Sequence, residues 1–225
     1  MLSGKDVVFL LDVDNTLLDN DRFTADLGER LEQTFGAAER ARYWAIFARQ
    51  RAERDQADYL GSLQEFRVGL DDRPELLGMS EFLLQYPFAA RLYPSALEVV
   101  AHLASFGVPA VLSDGDVVFQ PRKIQRSGLW EAVQGRVMIY VHKERVLDQV
   151  QQRFPARHYV MVDDKANLLA AVKTALGSRL TTVFVRQGHY ATAPESLSAN
   201  PAPDIGLDHI AELINYHSKD LEATS

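Results

Sequence analysis

The chain has 225 residues, 47% hydrophobic and 24% charged, which suits one α/β domain with a large insertion or two small domains. A net charge of −7 argues against general affinity for nucleic acid or an anionic membrane, so an anionic substrate would need a locally positive site. Cysteine is absent, which removes disulfides and thiolate chemistry, and no apolar run approaches a membrane span. The opening MLSGKD lacks the apolar core of a signal peptide, and the expectation is a cytoplasmic monomer or homodimer.

Val7 to Leu11 form an unbroken apolar run, the signature of a parallel strand buried on both faces. Asp12 and Asp14 follow one residue apart, so a period of two aims both carboxylates the same way. Two close carboxylates at an apolar edge need a cation or a shared proton. Thr16 adds a hydroxyl. The plain alternative is a strand that ends in a polar turn.

From about Asn20 to Tyr86 the texture turns charged and helix-periodic. Leu27, Leu31 and Phe35 share a helical face closed by Gly36. Tyr43, Trp44, Ile46 and Phe47, then Leu60, Leu63, Phe66 and Leu70, predict two more helices, with a break at Asp71-Asp72-Arg73-Pro74. This is an insertion of roughly sixty to seventy residues, the size of a small bundle. Its many arginines, from Arg22 to Arg73, mostly solvate helix faces.

A helix is predicted from Ala96 to Phe106 and a strand from Val108 to Leu112, ending in Ser113-Asp114-Gly115-Asp116. A hydroxyl at a strand end followed by glycine suits an anion held by side chain and backbone N–H groups. A short helix, Arg122 to Ser127, places Lys123 with its head toward solvent. An apolar stretch, Val137 to Val141, runs through His142-Lys143-Glu144 into a helix from Arg145 to Phe154. Tyr159 to Val162 is the next strand, with Asp163-Asp164-Lys165 at its end and a helix from Ala166 to Leu176. A fifth strand spans Thr181 to Val185. A Pro/Ser/Ala-rich loop, a short strand near Asp204-Ile205 and an amphipathic helix around Ile210 to Ile214 follow.

Strand–helix alternation predicts a doubly wound parallel sheet, with ligands beyond the carboxyl ends of its strands. The acids, hydroxyl and lysine all fall at such ends and can converge. No G-x-G-x-x-G or P-loop follows the first strand, and Ser113 lacks the flanking glycines of a nucleophile elbow.

DVDNT matches the DxDxT signature of the haloacid dehalogenase (HAD) superfamily. Ser113, Lys143 and Asp163-Asp164 match its remaining motifs in order, so the resemblance spans nearly the whole chain. It implies an α/β core from residues 1–18 and 90–225 with an inserted α-helical cap domain over 19–89. It further implies a Mg²⁺-dependent phosphatase acting on a small phosphorylated metabolite through an aspartyl-phosphate. Asp12 would be the nucleophile and Asp14 the general acid/base, with Ser113 and Lys143 binding the transferring group. Thr16, Asp114 and Gly115 would contact substrate. Mg²⁺ would sit between Asp12, the carbonyl of Asp14 and Asp163, with Asp164 in support.

This sequence has Asn15 where many members have Gly, and Asn167 where many have a further acid. Haloalkanoate dehalogenases of the superfamily lack the second aspartate. Phosphonate-cleaving members use a cap lysine, and none occurs between Lys5 and Lys123. A phosphomutase or phosphotransferase shares the core chemistry, and a non-catalytic binding module is the alternative from another class. With no cap lysine available, one or two cap arginines are expected to read an anionic part of the substrate.

Overall fold

The computed structural model describes residues 7–222 except 55, 71, 192, 194, 195 and 197. The opening MLSGKD and the Asp71 of the expected helix break lie outside the described residues. Six parallel strands, β1 (Val7–Leu11), β2 (Val108–Asp114), β3 (Val137–Tyr140), β4 (His158–Asp163), β5 (Leu180–Val185) and β6 (Ile205–Leu207), line up in the order β3-β2-β1-β4-β5-β6. The first strand in sequence is thus central. Its pleat sends Val7, Phe9 and Leu11 into one apolar cluster and Val8 and Leu10 into another, so both faces are covered. This is the doubly wound α/β architecture that the alternation predicted.

Among the described residues, four α-helices lie between β1 and β2 ahead of α5 (Ala96–Ala104). They are α1 (Asn20–Phe35), α2 (Ala37–Arg54), α3 (Tyr59–Phe66) and α4 (Glu75–Gln85). Asp19 caps α1 by accepting from the Arg22 N–H at 2.8 Å, and Asp58 caps α3 by accepting from Gly61 at 2.6 Å. Gly36, at φ 91, turns the chain straight from α1 into α2, where a side chain would be strained. Phe23, Leu27 and Leu31 recur every fourth residue and are buried. Phe23 touches Tyr59, Tyr86, Phe88 and Phe119 with ring centroids 4.9–5.6 Å apart. Phe119 belongs to α6 (Phe119–Ser127), beyond β2, so the apolar cluster runs without a break from the sheet into the inserted helices.

The remaining helices are α7 (Leu129–Ala132), α8 (Leu147–Arg153), α9 (Ala166–Leu176), α10 (Gly188–Ala191) and α11 (Ser218–Glu222). Helices α8 and α9 cover the Val8/Leu10 face through Leu147, Val150, Leu169 and Val172. Several ends shift by one or two residues, and two elements differ more from expectation. Helix α6 starts at Phe119 rather than Arg122. Asp116 Oδ1 accepts from the Val118 and Phe119 N–H groups at 2.8 and 2.7 Å, and Pro121 sits in the first turn, where a missing N–H breaks no helix bond. The segment Ile210–Asn215 is 3₁₀ rather than α, held by Glu212 accepting from the His209 N–H at 2.7 Å. No helix among the described residues is long and apolar enough to cross a membrane.

Candidate active site

Asp12 continues the line of β1, its N–H donating to the Val162 carbonyl at 3.0 Å, which pins the residue to the carboxyl edge beside β4. The chain then reverses in a tight turn in which the N–H groups of Thr16, Leu17 and Leu18 converge on the Val13 carbonyl. Asn15 makes the turn at φ 60, a conformation asparagine tolerates better than most residues. Its side-chain oxygen accepts from the Asn20 and Asp21 N–H groups at 3.0 and 3.2 Å, tying the turn to the start of α1.

The Asp12 carboxylate is buried, with Lys143 Nζ donating to Oδ1 at 2.5 Å and the Thr16 hydroxyl to Oδ2 at 3.2 Å. Thr16, expected to contact substrate, is therefore fully buried and outside the cavity lining, where it steadies Asp12. Lys143 Nζ also lies 2.6 Å from Asp163 Oδ2. Burial alone would push this ammonium toward neutrality, but the charges of Asp12, Asp163 and Asp114 outweigh it and raise the lysine above its ordinary value.

Asp12, Asp163 and Asp164 each bring a carboxylate oxygen within 4.8 Å of the others. Asp163 Oδ2 and both oxygens of Asp164 are buried without a hydrogen-bond donor among the described residues. The close approach of Lys143 to Asp163 Oδ2 is an ion contact without hydrogen-bond alignment. Burial, then repulsion among the acids, raises Asp163 to about 6 and Asp164 to about 9. Buried carboxylate oxygens lacking donors are what a hard divalent cation coordinates, so the donor set fits one.

Asp14 departs from the pairing its spacing suggested. Its carboxylate is not part of that cluster but is gripped by Lys123, whose Nζ donates to both oxygens at 2.7 and 2.8 Å and to Asn20 Oδ1 at 2.9 Å. The expectation that Lys123 reaches solvent is wrong. The residue is fully buried, with its ammonium 5.6–5.9 Å from the centroids of Phe23, Phe88 and Phe119. Starting α6 at Phe119 puts Lys123 on the same helical face as Phe119 and Ser127, the face toward β1. Each aspartate of the DVDNT turn thus has its own lysine, and mutual repulsion is relieved twice. Gln120, one turn before Lys123, also went unrecognised. Its Nε2 donates to Ser113 Oγ at 3.0 Å and to Asp14 Oδ2 at 3.3 Å. The sequence signal for it is the i, i+3 spacing of Gln120 and Lys123 after the Ser113 strand end.

Ser113 and Asp114 end β2. The Asp114 carboxylate accepts from the Lys143 N–H at 2.8 Å, and burial raises it above the ordinary value. The Gly115 N–H, considered as an anion donor, goes to the Tyr140 carbonyl at 2.9 Å. A Cβ on Gly115 would lie 2.8 Å from the Gln120 side chain, so close approach explains that glycine.

Asp12, Asp14, Ser113, Asp114 and Gly115 line one wall of a cavity of about 500 Å³. The opposite wall comes from α1 to α3, and Lys165, His189 and Tyr190 close a third side. The His189 N–H donates to Asp21 Oδ2 at 2.9 Å, joining the loop after β5 to α1.

A parallel sheet whose carboxyl edge gathers these acids, with helices inserted after its first strand, defines a HAD-like hydrolase. A family model for haloacid dehalogenase-like hydrolases matches residues 7–175, and the chain belongs to that family. The crystal structure of a haloacid dehalogenase-like hydrolase from Burkholderia xenovorans LB400 is 55% identical. It matches with a TM-score of 0.89 over 96% of this chain and 100% of that one. The HAD hydrolase YfnB from Bacillus subtilis, solved bound to magnesium, is 15% identical with a TM-score of 0.60 over 94% and 98% of the two chains. The L-2-haloacid dehalogenase from Xanthobacter autotrophicus, solved with chloropropionic acid covalently bound, is 16% identical with a TM-score of 0.59 over 93% and 97%. The last two share the fold. A comparison with curated protein sequences finds no significant match.

Proposed function

We propose that the chain is a Mg²⁺-dependent phosphatase that hydrolyses a small-molecule phosphate monoester through Asp12. Residues 1–18 and 90–225 form the catalytic core in this reading, and 19–89 the cap. The observation that carries it is the separate housing of the two aspartates. Asp12 is buried against Lys143 beside Asp163 Oδ2 and the Asp164 oxygens, which receive no hydrogen bond, while Asp14 faces the cavity and is steered by Lys123 and Gln120. A halide departs without a proton, so dehalogenation has no use for a second carboxylate at this position. An alkoxide leaving group needs one.

Asp12 attacks phosphorus as the ester P–O bond breaks, and Asp14 hands its proton to the departing oxygen. Asp14 then takes a proton from the incoming water, which attacks the aspartyl-phosphate, freeing inorganic phosphate and the Asp12 carboxylate. Lys143 holds the Asp12 carboxylate in place and Ser113 offers its hydroxyl to the transferring group. Asp12, Asp163 and Asp164, with the Asp14 carbonyl, would hold Mg²⁺, which when bound supplies positive charge against the phosphoryl oxygens.

The test is phosphate release from a panel of phosphate monoesters, with chloride release from 2-chloropropionate as the counter-assay. Turnover of esters that needs Mg²⁺ and disappears in a folded Asp12→Asn variant is expected. Chloride release without ester turnover would replace this reading with a dehalogenase.

A further inference from the structure

The cavity wall facing the aspartates is aromatic and carries one cation. Trp44, Phe47 and Arg51 follow one another at i, i+3 and i+7 on α2, so all three present to the cavity. Phe47 stacks on Tyr59 with centroids 4.8 Å apart, and Trp44 meets Phe47 edge-on at 5.5 Å. Most arginines of the inserted helices are committed elsewhere, with Arg22, Arg40, Arg42, Arg49, Arg54 and Arg73 each within ion-pair distance of a carboxylate.

Arg51 pairs with no carboxylate among the described residues. Its guanidinium donates instead to the Tyr190 hydroxyl, 139 positions along the chain, and lies 5.8 Å from the Tyr190 ring centroid. Lys165 Nζ approaches the same ring at 5.0 Å. The cavity also carries Asp14, Asp114 and Asp116 on the sheet side and Asp21 on α1, so among the lining residues of the inserted helices Arg51 alone offers an anion a positive charge. A guanidinium held by a neutral phenol keeps most of its five donors for a ligand.

We propose that Arg51, oriented by Tyr190, is a specificity-determining residue that receives a second oxyanion on the leaving group, with Trp44, Phe47 and Tyr59 against its carbon skeleton. The substrate class is a phosphate monoester bearing a carboxylate or a second phosphate. This rests on the phosphatase reading and narrows it.

The experiment compares kcat/KM for three esters, 3-phosphoglycerate, glycerol 3-phosphate and fructose 1,6-bisphosphate, with p-nitrophenyl phosphate as the common reference. The wild-type chain should prefer a doubly anionic ester over neutral-tailed glycerol 3-phosphate. Which of the two is favoured distinguishes carboxylate from phosphate recognition. Arg51→Gln should lower that preference about 10–100-fold, chiefly through KM, as loss of a charge-assisted pair does. Arg51→Lys should restore part of it, and Tyr190→Phe should lower it about three-fold by loosening the guanidinium. A preference that survives Arg51→Gln, or equal losses on all four esters, overturns the subsite while leaving the phosphatase reading intact. Failure to release phosphate from every ester, p-nitrophenyl phosphate included, overturns both.

Discussion

Replacing Lys123 by methionine removes an ammonium while keeping an unbranched, apolar stem of similar length. The side chain is 1% exposed and donates three hydrogen bonds, two to Asp14 and one to Asn20. Removing one partner of a buried ion pair costs about 3–5 kcal/mol when the other charge is stranded. The Asp14 side chain is 32% exposed, so water recovers part of its solvation and the loss falls to about 2–3 kcal/mol. Methionine sulfur among Phe23, Phe88 and Phe119 roughly offsets the lost cation–π attraction, at about 1 kcal/mol on either side. With a urea slope of about 2–3 kcal/mol per molar, the unfolding midpoint should drop about 1 M. Phosphate release should fall about 10²–10⁴-fold, the range for a displaced general acid, with smaller losses for a nitrophenol leaving group. Urea titration followed by fluorescence and steady-state phosphate release measure the two effects. Adding Asp14→Asn should recover stability, because no unpaired charge remains, without recovering activity. A midpoint within about 0.2 M of wild type and turnover within about two-fold would show that Lys123 does not hold Asp14.

Three further outcomes follow from the geometry. In the metal-free chain Asp163 and Asp164 hold protons that an unfolded chain has released, so stability falls as pH climbs from the ordinary carboxylate value of 3.8 through about 6 and on to about 9. Mg²⁺ should therefore raise the melting temperature more at pH 8 than at pH 5.5, and superimposed Mg²⁺ and EDTA curves at pH 8 would count against the site. Burial would raise the Asp26 carboxyl, but the Tyr86 hydroxyl and the guanidinium of Arg91, 2.7 Å away, hold it below its ordinary value. Asp26→Asn should cost about 1–2 kcal/mol at neutral pH, and the gap from wild type should close as pH falls below the ordinary carboxylate value of 3.8 and through the lowered native one. Gly188 sits at φ 71, and a Cβ there would lie 2.4 Å from Asn15 Cβ. Gly188→Ala should cost about 1–2 kcal/mol in backbone strain and lower turnover further by displacing the DVDNT turn, and an unaffected kcat would contradict that coupling.

The sheet was legible because parallel strands buried on both faces must read as apolar runs, as Val7 to Leu11 and Tyr159 to Val162 do. Helix α9 was legible to the residue, Ala166 to Leu176, because a strand-end turn opens it and Gly177 stops it. Convergence of Asp12, Lys143 and Asp163 followed from their common place at strand ends. Lys123 is buried rather than exposed because the helix begins at Phe119 and not, as the sequence suggests, at Arg122; Pro121 falls in its first turn, where it is harmless. Where Asp14 points was beyond a period-of-two argument, since β1 stops at Leu11 and a turn sets the direction. The meeting of Arg51 with Tyr190, and of Asp21 with His189, depends on how the inserted helices dock, which no local pattern encodes.

The central position of β1 has a consequence for biosynthesis. Val8 lies opposite Val108 on one side and Tyr159 on the other, so β1 leaves the ribosome well ahead of both its neighbours. At about 5–20 residues per second, the chain needs roughly 10–30 s to produce β4 after β1. Until then VVFLL lacks at least one of its two neighbours and keeps an open apolar edge, the kind that chaperones bind and aggregates recruit. Pairings this distant in sequence also make for slow folding. Nascent chains arrested before β4 should be protease-sensitive across β1, and protection should come only once residues 158–163 have cleared the exit tunnel.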